Sequence, residues 1–454
     1  MRMPRVMIAA PASGSGKTMI TCGILQALVD RDLNVTSFKC GPDYIDPMFH
    51  SRVIGTRSKN LDAFFADPGL LRYLFGRSAK GSDISVTEGV MGFYDGMGIA
   101  SSEASSYDVS QKLGMPVVLT VNCRGASISA AAVVKGFLEF RKNNIKGVIL
   151  NNASEAMHRE LKGVIEKETG TKVIGYVPNV KELVIESRHL GLLMPSEIPL
   201  LKEKLTALAD LLERTVDLDA LIGIADSADE LEFSEPPCRM LTKKVKIGLA
   251  EDEAFCFMYA DNIELLERCG AEIVRFSPLR DRTLPDGICG MILPGGYPEL
   301  HAEALSRNTS MTGDIMNKVG KGMPCMAECG GFMYLHDELE DQDGTFHRMI
   351  GAVKGRAYNL KKLSRFGYIS VNAKRDGTIL ENGTVKGHEF HYWESTDAGR
   401  DCDAVRPARG SRYECMHCSG NMMAGFPHLY YYSNTDVPYN FLLKCTEYRN
   451  ARTV

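Results

Sequence analysis

The feature that most constrains this chain is a glycine-rich turn close to its N-terminus. An apolar run over Arg5–Ala10 leads into the letters PASGSGKT, and a helix-like segment over Thr18–Val29 follows. This order of strand, loop and helix is typical of a phosphate-binding loop, because glycines let backbone N–H groups turn toward phosphate oxygens and the helix N-terminus adds positive charge. The sequence therefore predicts a nucleotide-binding α/β domain at the start of the chain.

The loop itself supplies the predicted ATP-binding residues. They are Ser13, Gly14, Ser15, Gly16, Lys17 and Thr18. Lys17 would neutralise charge on the β- and γ-phosphates, and the Thr18 hydroxyl would bind Mg²⁺. Pro11 stands where the commonest loops have their first glycine, a departure that is typical of the variant loops of dethiobiotin synthetase and MinD-like proteins.

Two acidic segments follow the next predicted strands. They read GPDYIDP over 41–47 and TEGVMGFYDG over 87–96. Loops at the carboxyl ends of parallel strands meet at one edge of a sheet, so both segments should face the phosphate loop. Carboxylates beside a triphosphate repel it unless a divalent cation lies between them, which predicts Mg²⁺. Asp43 and Asp46 also suit a purely local role as turn and helix-cap residues.

A reactive cysteine is predicted in the second half of the chain. A strand over Met323–Ala327 ends in Glu328-Cys329-Gly330-Gly331, a pattern similar to a nucleophile elbow, and a helix-like FMYL follows. We expect the helix N-terminus and a nearby imidazolium to lower the pKa of the thiol. The backbone N–H groups of Gly296 and Gly330 are the candidate oxyanion hole. Its histidine partner could come from GHEFHY, which holds His388 and His391, or from His428.

The alternation of short apolar runs with helix-like segments predicts an α/β fold with mostly parallel sheets. A length of 454 residues suggests more than one domain. We predict an ATP-binding domain over 1–198, a helical and acidic linker over 199–242, and a second α/β domain over 243–454.

Composition excludes several classes of protein. The net charge of −4 gives no basis for a nucleic-acid or membrane partner, and no stretch approaches the roughly 18 apolar residues of a membrane helix. Thirteen scattered cysteines indicate a reduced, cytoplasmic chain. Cys415 and Cys418 form a C-x-x-C pair, but no second pair at zinc-binding spacing accompanies them.

Eight motifs in order resemble one family over almost the whole chain. They are ASGSGKT, GPDYIDP, TEGVMGFYDG, SRHLGL, PGGYPE, AECGG, GHEFHY and PHLYY. This set is similar to the cobyrinic acid a,c-diamide synthase family of CobB/CobQ-type glutamine amidotransferases. The resemblance implies a dethiobiotin-synthetase-like P-loop domain followed by a class I glutamine amidotransferase-like domain. It also implies that ATP activates a corrinoid carboxylate as an acyl phosphate, which ammonia from glutamine converts to an amide.

The resemblance also assigns roles by position. It makes Cys329 the nucleophile and His428 its general base. It places Thr18, Asp43 and Glu88 at the metal, and Tyr44, Asp46 and Asp95 at the acceptor carboxylate, with the division among these acidic residues left open. Class I enzymes have a glutamate two residues after the histidine, where this chain has Tyr430. We therefore expect slow glutamine hydrolysis without ATP and acceptor.

Some alternatives stay open on sequence alone. Relatives that act on hydrogenobyrinic acid or nickel sirohydrochlorin share the motifs, while cobyric acid synthase is more distant. A nucleotide switch of the MinD/ParA type would leave the second domain without a role. The oligomeric state, including a homodimer, is not determined by these motifs.

Overall fold

The chain folds into two compact units. The structure, a computed structural model, describes residues 2–180, 183, 201–381 and 383–452. The first unit is Met1–Pro236 and the second is Pro237–Val454. The SRHLGL motif, at 187–192, lies outside the described residues.

The first unit is built on a parallel sheet that has seven strands within the described residues. These are β1 (Arg5–Ala9), β2 (Val35–Cys40), β3 (Arg57–Leu61), β4 (Ile84–Glu88), β5 (Val117–Asn122), β6 (Ile145–Asn151) and β7 (Lys172–Val177). Their order across the sheet is β3-β2-β4-β1-β5-β6-β7. Every residue of β1, β2 and β4 is buried. The loops after these three neighbouring strands therefore meet at one edge of the sheet.

Helices connect and cover these strands. They are α1 (Lys17–Asp30), α2 (Ile45–Phe49), α3 (Pro68–Ala79), α4 (Ser106–Lys112), α5 (Ser129–Glu139), α6 (Glu155–Thr169), α7 (Leu201–Thr215) and α8 (Leu218–Asp226), with a π-helical turn over His50–Ile54 after α2. Helix α7 packs on α1 so closely that a Cβ on Gly23 would lie 2.6 Å from Leu212 and 2.7 Å from Leu208. The helical part of the segment predicted as a linker therefore belongs to the first unit.

The second unit has a central sheet of six strands within the described residues. They are β8 (Val245–Ala250), β9 (Ala271–Phe276), β10 (Gly290–Leu293), β11 (Cys325–Glu328), β20 (His417–Ser419) and β21 (Met422–Gly425). The order is β20-β21-β11-β10-β8-β9, and only β20 is antiparallel to its neighbour. The predicted α/β class is confirmed in both units.

Two smaller sheets complete the second unit. One contains β12 (Glu338–Glu340), β13 (Phe346–Arg348), β14 (Arg356–Asn359) and β17 (Trp393–Ser395), and the other contains β15 (Arg365–Ala373), β16 (Thr384–His391), β18 (Cys402–Val405), β19 (Arg412–Cys415) and β22 (His428–Leu429). The helices are α9 (Ala260–Cys269), α10 (Ala302–Arg307), α11 (Thr309–Gly320), α12 (Gly330–Tyr334) and α13 (Asp436–Ala451). In neither unit is a described helix long and apolar enough to cross a membrane.

All thirteen cysteines are described and all are free thiols. Cys238 is half-buried, and the other twelve are buried. Cys402 and Cys415 are cross-strand partners on β18 and β19. Among the described residues, no three or more His, Cys, Asp or Glu side chains are arranged to hold a metal ion.

Candidate active sites

The phosphate loop lies between β1 and α1, as predicted. Gly14 and Gly16 have φ angles of 74° and 90°, which glycine adopts without strain. A Cβ on Gly16 would lie 2.2 Å from Nδ2 of Asn151, and that amide donates a hydrogen bond of 2.8 Å to the carbonyl of Ser15. The loop is therefore held in a shape that only glycine permits at this position.

Lys17 begins α1 and joins the phosphate loop to the segment after β4. Its ammonium donates to the carbonyl of Met91 at 2.5 Å and to that of Ala12 at 3.3 Å. Burial, together with repulsion from Lys39, lowers the pKa of Lys17 to about 8. The amine is therefore buried without an opposite charge in contact, and an anionic phosphate would favour its charged form.

A buried ion network lies beside Lys17. The ammonium of Lys39 is 2.6 Å from Oδ2 of Asp46 and 2.7 Å from Oε1 of Glu88, and Glu88 Oε1 also accepts a 2.5 Å hydrogen bond from the Thr18 hydroxyl. The Nε2 atom of His50 is 3.7 Å from the other Glu88 oxygen. The three charged side chains are 7%, 3% and 0% exposed, in the order Lys39, Asp46, Glu88.

This network corrects part of the electrostatic argument made from the sequence. A lysine lies between two of the predicted acidic residues, whereas the sequence argument assigned the neutralising charge to a divalent cation. Although burial alone lowers the pKa of Lys39, the carboxylates of Asp46, Glu88 and Asp43 raise it well above its usual value. Burial also raises the pKa of Glu88, with Asp46 adding to the shift. Lys39 was not among the predicted site residues. The available sign was a cation inside the buried run VTSFKC.

The other predicted acidic residues stabilise their own loops. Oδ1 of Asp43 accepts backbone hydrogen bonds from Ile45 at 2.8 Å and from Asp46 at 3.2 Å. Oδ2 of Asp95 accepts a 3.0 Å bond from the N–H of Gly92. Burial, then the neighbouring Asp46, raises the pKa of Asp43 to about 7. Asp43 thus has the local turn role that was weighed against ligand binding for Asp43 and Asp46, and Asp95 has a similar role that was not considered.

The predicted acceptor residues Tyr44 and Asp46 flank the start of α2. Tyr44 precedes the helix, and Asp46 lies in its first turn. Both are buried, and the Asp46 carboxylate contacts Lys39 at 2.6 Å. The structure therefore joins Asp46 to Glu88 through Lys39, and Glu88 in turn accepts a hydrogen bond from Thr18.

In the second unit, Cys329 occupies a sharp turn between β11 and α12. Its backbone has φ 44° and ψ −104°, an unusual conformation for a residue other than glycine. Its N–H donates to the carbonyl of Gly425 at 2.8 Å. A Cβ on Gly331 would lie 2.0 Å from the backbone oxygen of Leu293, so only glycine fits there. This is the strained strand-to-helix geometry expected of a nucleophile elbow.

The two predicted oxyanion glycines lie side by side. A Cβ built on Gly330 would be 3.0 Å from the backbone nitrogen of Gly296. On the same turn, a Cβ on Gly295 would be 2.4 Å from Cε1 of His428. The Gly295–Gly296 turn thus borders both the cysteine elbow and the ring of His428.

The structure shows different surroundings for each of the three candidate histidines. His428 is buried at the start of β22, and its ring stacks on that of His388 with 5.1 Å between centroids. His388 Nδ1 is 3.2 Å from the hydroxyl of Tyr259. His391 stacks on Phe426 and its Nδ1 donates to a backbone carbonyl at 2.6 Å. Of the three, His428 is the one whose ring borders the Gly295–Gly296 turn.

Electrostatics at the cysteine differ from our expectation. Burial, followed by the charge of Glu299, raises the pKa of the Cys329 thiol, and the five-residue helix α12 does not offset this. Burial, then the neighbouring His388 and His391, lowers the pKa of His428 well below its usual value. The prediction of a lowered thiol pKa was therefore wrong: burial favours the neutral thiol of Cys329 and the neutral imidazole of His428.

Comparison with known families matches both units. A CobQ/CobB/MinD/ParA nucleotide binding domain profile matches residues 6–192, and a CobB/CobQ-like glutamine amidotransferase domain profile matches residues 246–435. The fold and the two sites thus define a glutamine amidotransferase that carries its own nucleotide-binding domain.

Similar proteins extend over nearly the whole chain. The cobyrinate a,c-diamide synthase of Salmonella typhimurium is 40% identical over 435 residues, which is 94% of each chain. That of Caldanaerobacter subterraneus subsp. tengcongensis is 39% identical over 448 residues, 97% of this chain and 98% of the relative. That of Priestia megaterium is 37% identical over 458 residues, which cover 99% of this chain and 98% of the relative. The chain belongs to the cobyrinate a,c-diamide synthase family, as its motifs indicated.

Proposed function

We propose that this protein is a ligase that converts the a and c side-chain carboxylates of cobyrinate to amides, using ATP and glutamine. The observation that carries the proposal is similarity to cobyrinate a,c-diamide synthases along both units at once. The phosphate loop and the cysteine elbow supply the two chemistries that such a reaction needs. Because the reaction uses ATP and free thiols, we place it in the cytoplasm.

In the first unit, the acceptor carboxylate attacks the γ-phosphorus of ATP, and ADP leaves. Backbone N–H groups of Ser13, Gly14, Ser15 and Gly16 hold the phosphates, and the Lys17 ammonium exchanges its carbonyl partners for phosphate oxygens. The product of this step is an acyl phosphate.

Mg²⁺ fits the residues beside the loop. The Thr18 hydroxyl and the Glu88 carboxylate lie in contact with each other, and both present oxygen atoms. Oxygen atoms are the ligands that Mg²⁺ prefers. Bound there, the ion would neutralise negative charge on the phosphates. Asp43 remains a proposed third ligand. Tyr44, Asp46 and Asp95 remain proposed contacts of the acceptor.

In the second unit, the Cys329 sulfur attacks the side-chain amide carbon of glutamine. His428 accepts the thiol proton and returns it to the departing ammonia. The N–H groups of Gly296 and Gly330 stabilise the negative oxygen that forms. Water then hydrolyses the thioester to glutamate, and the ammonia attacks the acyl phosphate, releasing phosphate and leaving the amide.

A substrate panel tests the proposal. Purified protein with ATP and glutamine is given cobyrinate, hydrogenobyrinate or nickel sirohydrochlorin, and amide products are counted by mass spectrometry. We expect two amidations of cobyrinate. Preference for another tetrapyrrole would identify that compound as the acceptor in place of cobyrinate. No amidation of any of the three would refute the proposal.

The variant Cys329→Ala separates the two units' chemistry. It should lose glutamine-dependent amidation and keep amidation driven by ammonium salts. The wild-type protein should also hydrolyse glutamine slowly without ATP and acceptor, because burial raises the pKa of the Cys329 thiol and disfavours the thiolate. Rapid release of glutamate by the protein alone would contradict this part of the mechanism.

A further inference from the structure

Glu328, the residue before the reactive cysteine, is aimed at the histidine. It ends β11 and is 3% exposed. Its Oε2 atom lies 4.0 Å from Nδ1 of His428. Its carboxylate also accepts the backbone N–H of Leu429 and, at 3.3 Å, the hydroxyl of Tyr431. One buried carboxylate therefore contacts three residues of the segment that carries the histidine.

The position where class I enzymes have a glutamate is used differently in this chain. Tyr430 stands there, and its hydroxyl donates a 3.0 Å hydrogen bond to Oδ2 of Asp261. The carboxylate that faces the histidine in this chain is that of Glu328, which directly precedes Cys329.

We propose that Glu328 is a positioning residue for glutamine hydrolysis, which holds His428 with Nδ1 protonated so that Nε2 receives the Cys329 proton. This inference rests on the proposed function. The two ring nitrogens lie on opposite edges of the imidazole, so a carboxylate at Nδ1 leaves Nε2 for the thiol. At 4.0 Å the contact is electrostatic in the free protein, and it strengthens when His428 takes up the proton and becomes a cation.

Other titratable groups surround His428 and share in its electrostatics. His388 stacks on its ring, and Tyr259 hydrogen-bonds His388. His391 lies nearby, with its Nε2 3.9 Å from Glu389. Among these groups, Glu328 is the carboxylate placed within 4.0 Å of a His428 ring nitrogen.

The protonation of Glu328 gives the proposal a pH readout. Burial raises the pKa of Glu328 to about 8. Because the ionised carboxylate is the form that stabilises a cationic His428, kcat for glutamine should rise as the pH increases through about 8. A residue that only packs would produce no such dependence.

The test compares Glu328→Gln with Glu328→Asp and Tyr431→Phe in the full chain, with ATP and cobyrinate. Gln keeps the size and the acceptor oxygen but removes the charge, and Asp keeps the charge. Tyr431→Phe removes one hydrogen bond to Glu328 and no carboxylate. Each variant is assayed with glutamine and, separately, with ammonium as the nitrogen source.

We expect Glu328→Gln to lower kcat for glutamine by about 100-fold, less than the roughly 10⁴-fold cost of neutralising a triad aspartate that is in direct hydrogen-bond contact. KM and the ammonium-driven rate should change little, the rise in kcat near pH 8 should disappear, and Asp should restore part of the rate. Unchanged kcat and pH profile in Glu328→Gln would overturn the inference. So would an equal loss of the ammonium-driven rate in Gln and Asp. If the wild-type protein itself cannot use glutamine, the proposed function fails instead.

Discussion

Replacing Lys39 with methionine tests the buried network in the first unit. Methionine keeps an unbranched chain but removes the ammonium that lies 2.6 Å from Asp46 and 2.7 Å from Glu88. Removing one partner of a buried, hydrogen-bonded ion pair costs about 3–5 kcal/mol, because the remaining charge stays buried without compensation. We expect Lys39→Met to lower the free energy of unfolding of the first unit by that amount at pH 8.

The effect should depend on pH in a defined direction. Lys39 stays charged between pH 5 and 8, because its pKa is raised. In the variant the Glu88 carboxylate, whose pKa burial raises, lacks its cation, so acid relieves part of the penalty by protonating it. The loss of stability should therefore be smaller at pH 5 than at pH 8.

Urea unfolding separates the two units. The chain has one tryptophan, Trp393, and it lies in the second unit, so fluorescence follows that unit while circular dichroism follows both. The variant should move the dichroism transition of the first unit and leave the Trp393 transition in place. Lys135→Met is the matched control, because its 3.9 Å pair with Glu139 is exposed and such i,i+4 helix pairs contribute about 0.3–0.5 kcal/mol. A loss below about 1 kcal/mol for Lys39→Met, or a larger loss at pH 5, would refute the reasoning.

Three further predictions follow from single sites. Because the pKa of Lys17 is about 8 in the free protein and bound phosphate favours its charged form, the Kd for ATP should rise between pH 7 and 9; calorimetry giving a constant Kd would contradict this. Gly331→Ala should destabilise the second unit by about 3 kcal/mol or more, since its Cβ would overlap the Leu293 oxygen, and an unfolding midpoint equal to wild type by Trp393 fluorescence would contradict it. Burial raises the pKa of Asp43 to about 7, so the stability that its protonated carboxyl contributes to the folded protein is lost as the pH rises from 4 to 7. Asp43→Asn should remove this part of the pH dependence of the free energy of unfolding, measured by urea unfolding at pH 4 and pH 7.

Sequence patterns were sufficient for the central strands of both units. The run around β1 is apolar without alternation, which is typical of a strand buried on both faces. Strands β2 and β4 contain polar residues, and their β-branched residues indicated strands that the structure shows to be fully buried. Strand β3 was not predicted, because its letters RSKNL are polar and it joins the sheet only at one edge. The antiparallel sheet around β15 and β16 also escaped prediction, since its pairing depends on contacts that local composition does not record.

The site residues also divide into those that the sequence could predict and those that it could not. The phosphate loop and the cysteine elbow were predictable, because backbone geometry forces glycine at Gly16 and Gly331 and leaves a visible pattern. The partners of Lys39 and Glu328 were not, because both contacts join residues far apart in the chain. The thiol pKa was predicted in the wrong direction, because the depth of burial at Cys329 is a property of the folded unit alone.

The distribution of thiols has a practical consequence for spectroscopy. Of thirteen cysteines, only Cys238 is not buried, and it lies two residues after the boundary at Pro236. A maleimide dye added to the native protein should therefore attach chiefly there, with no need to engineer a cysteine-free background. Such a label would lie at the start of the second unit and would provide a fluorescence signal from one known position.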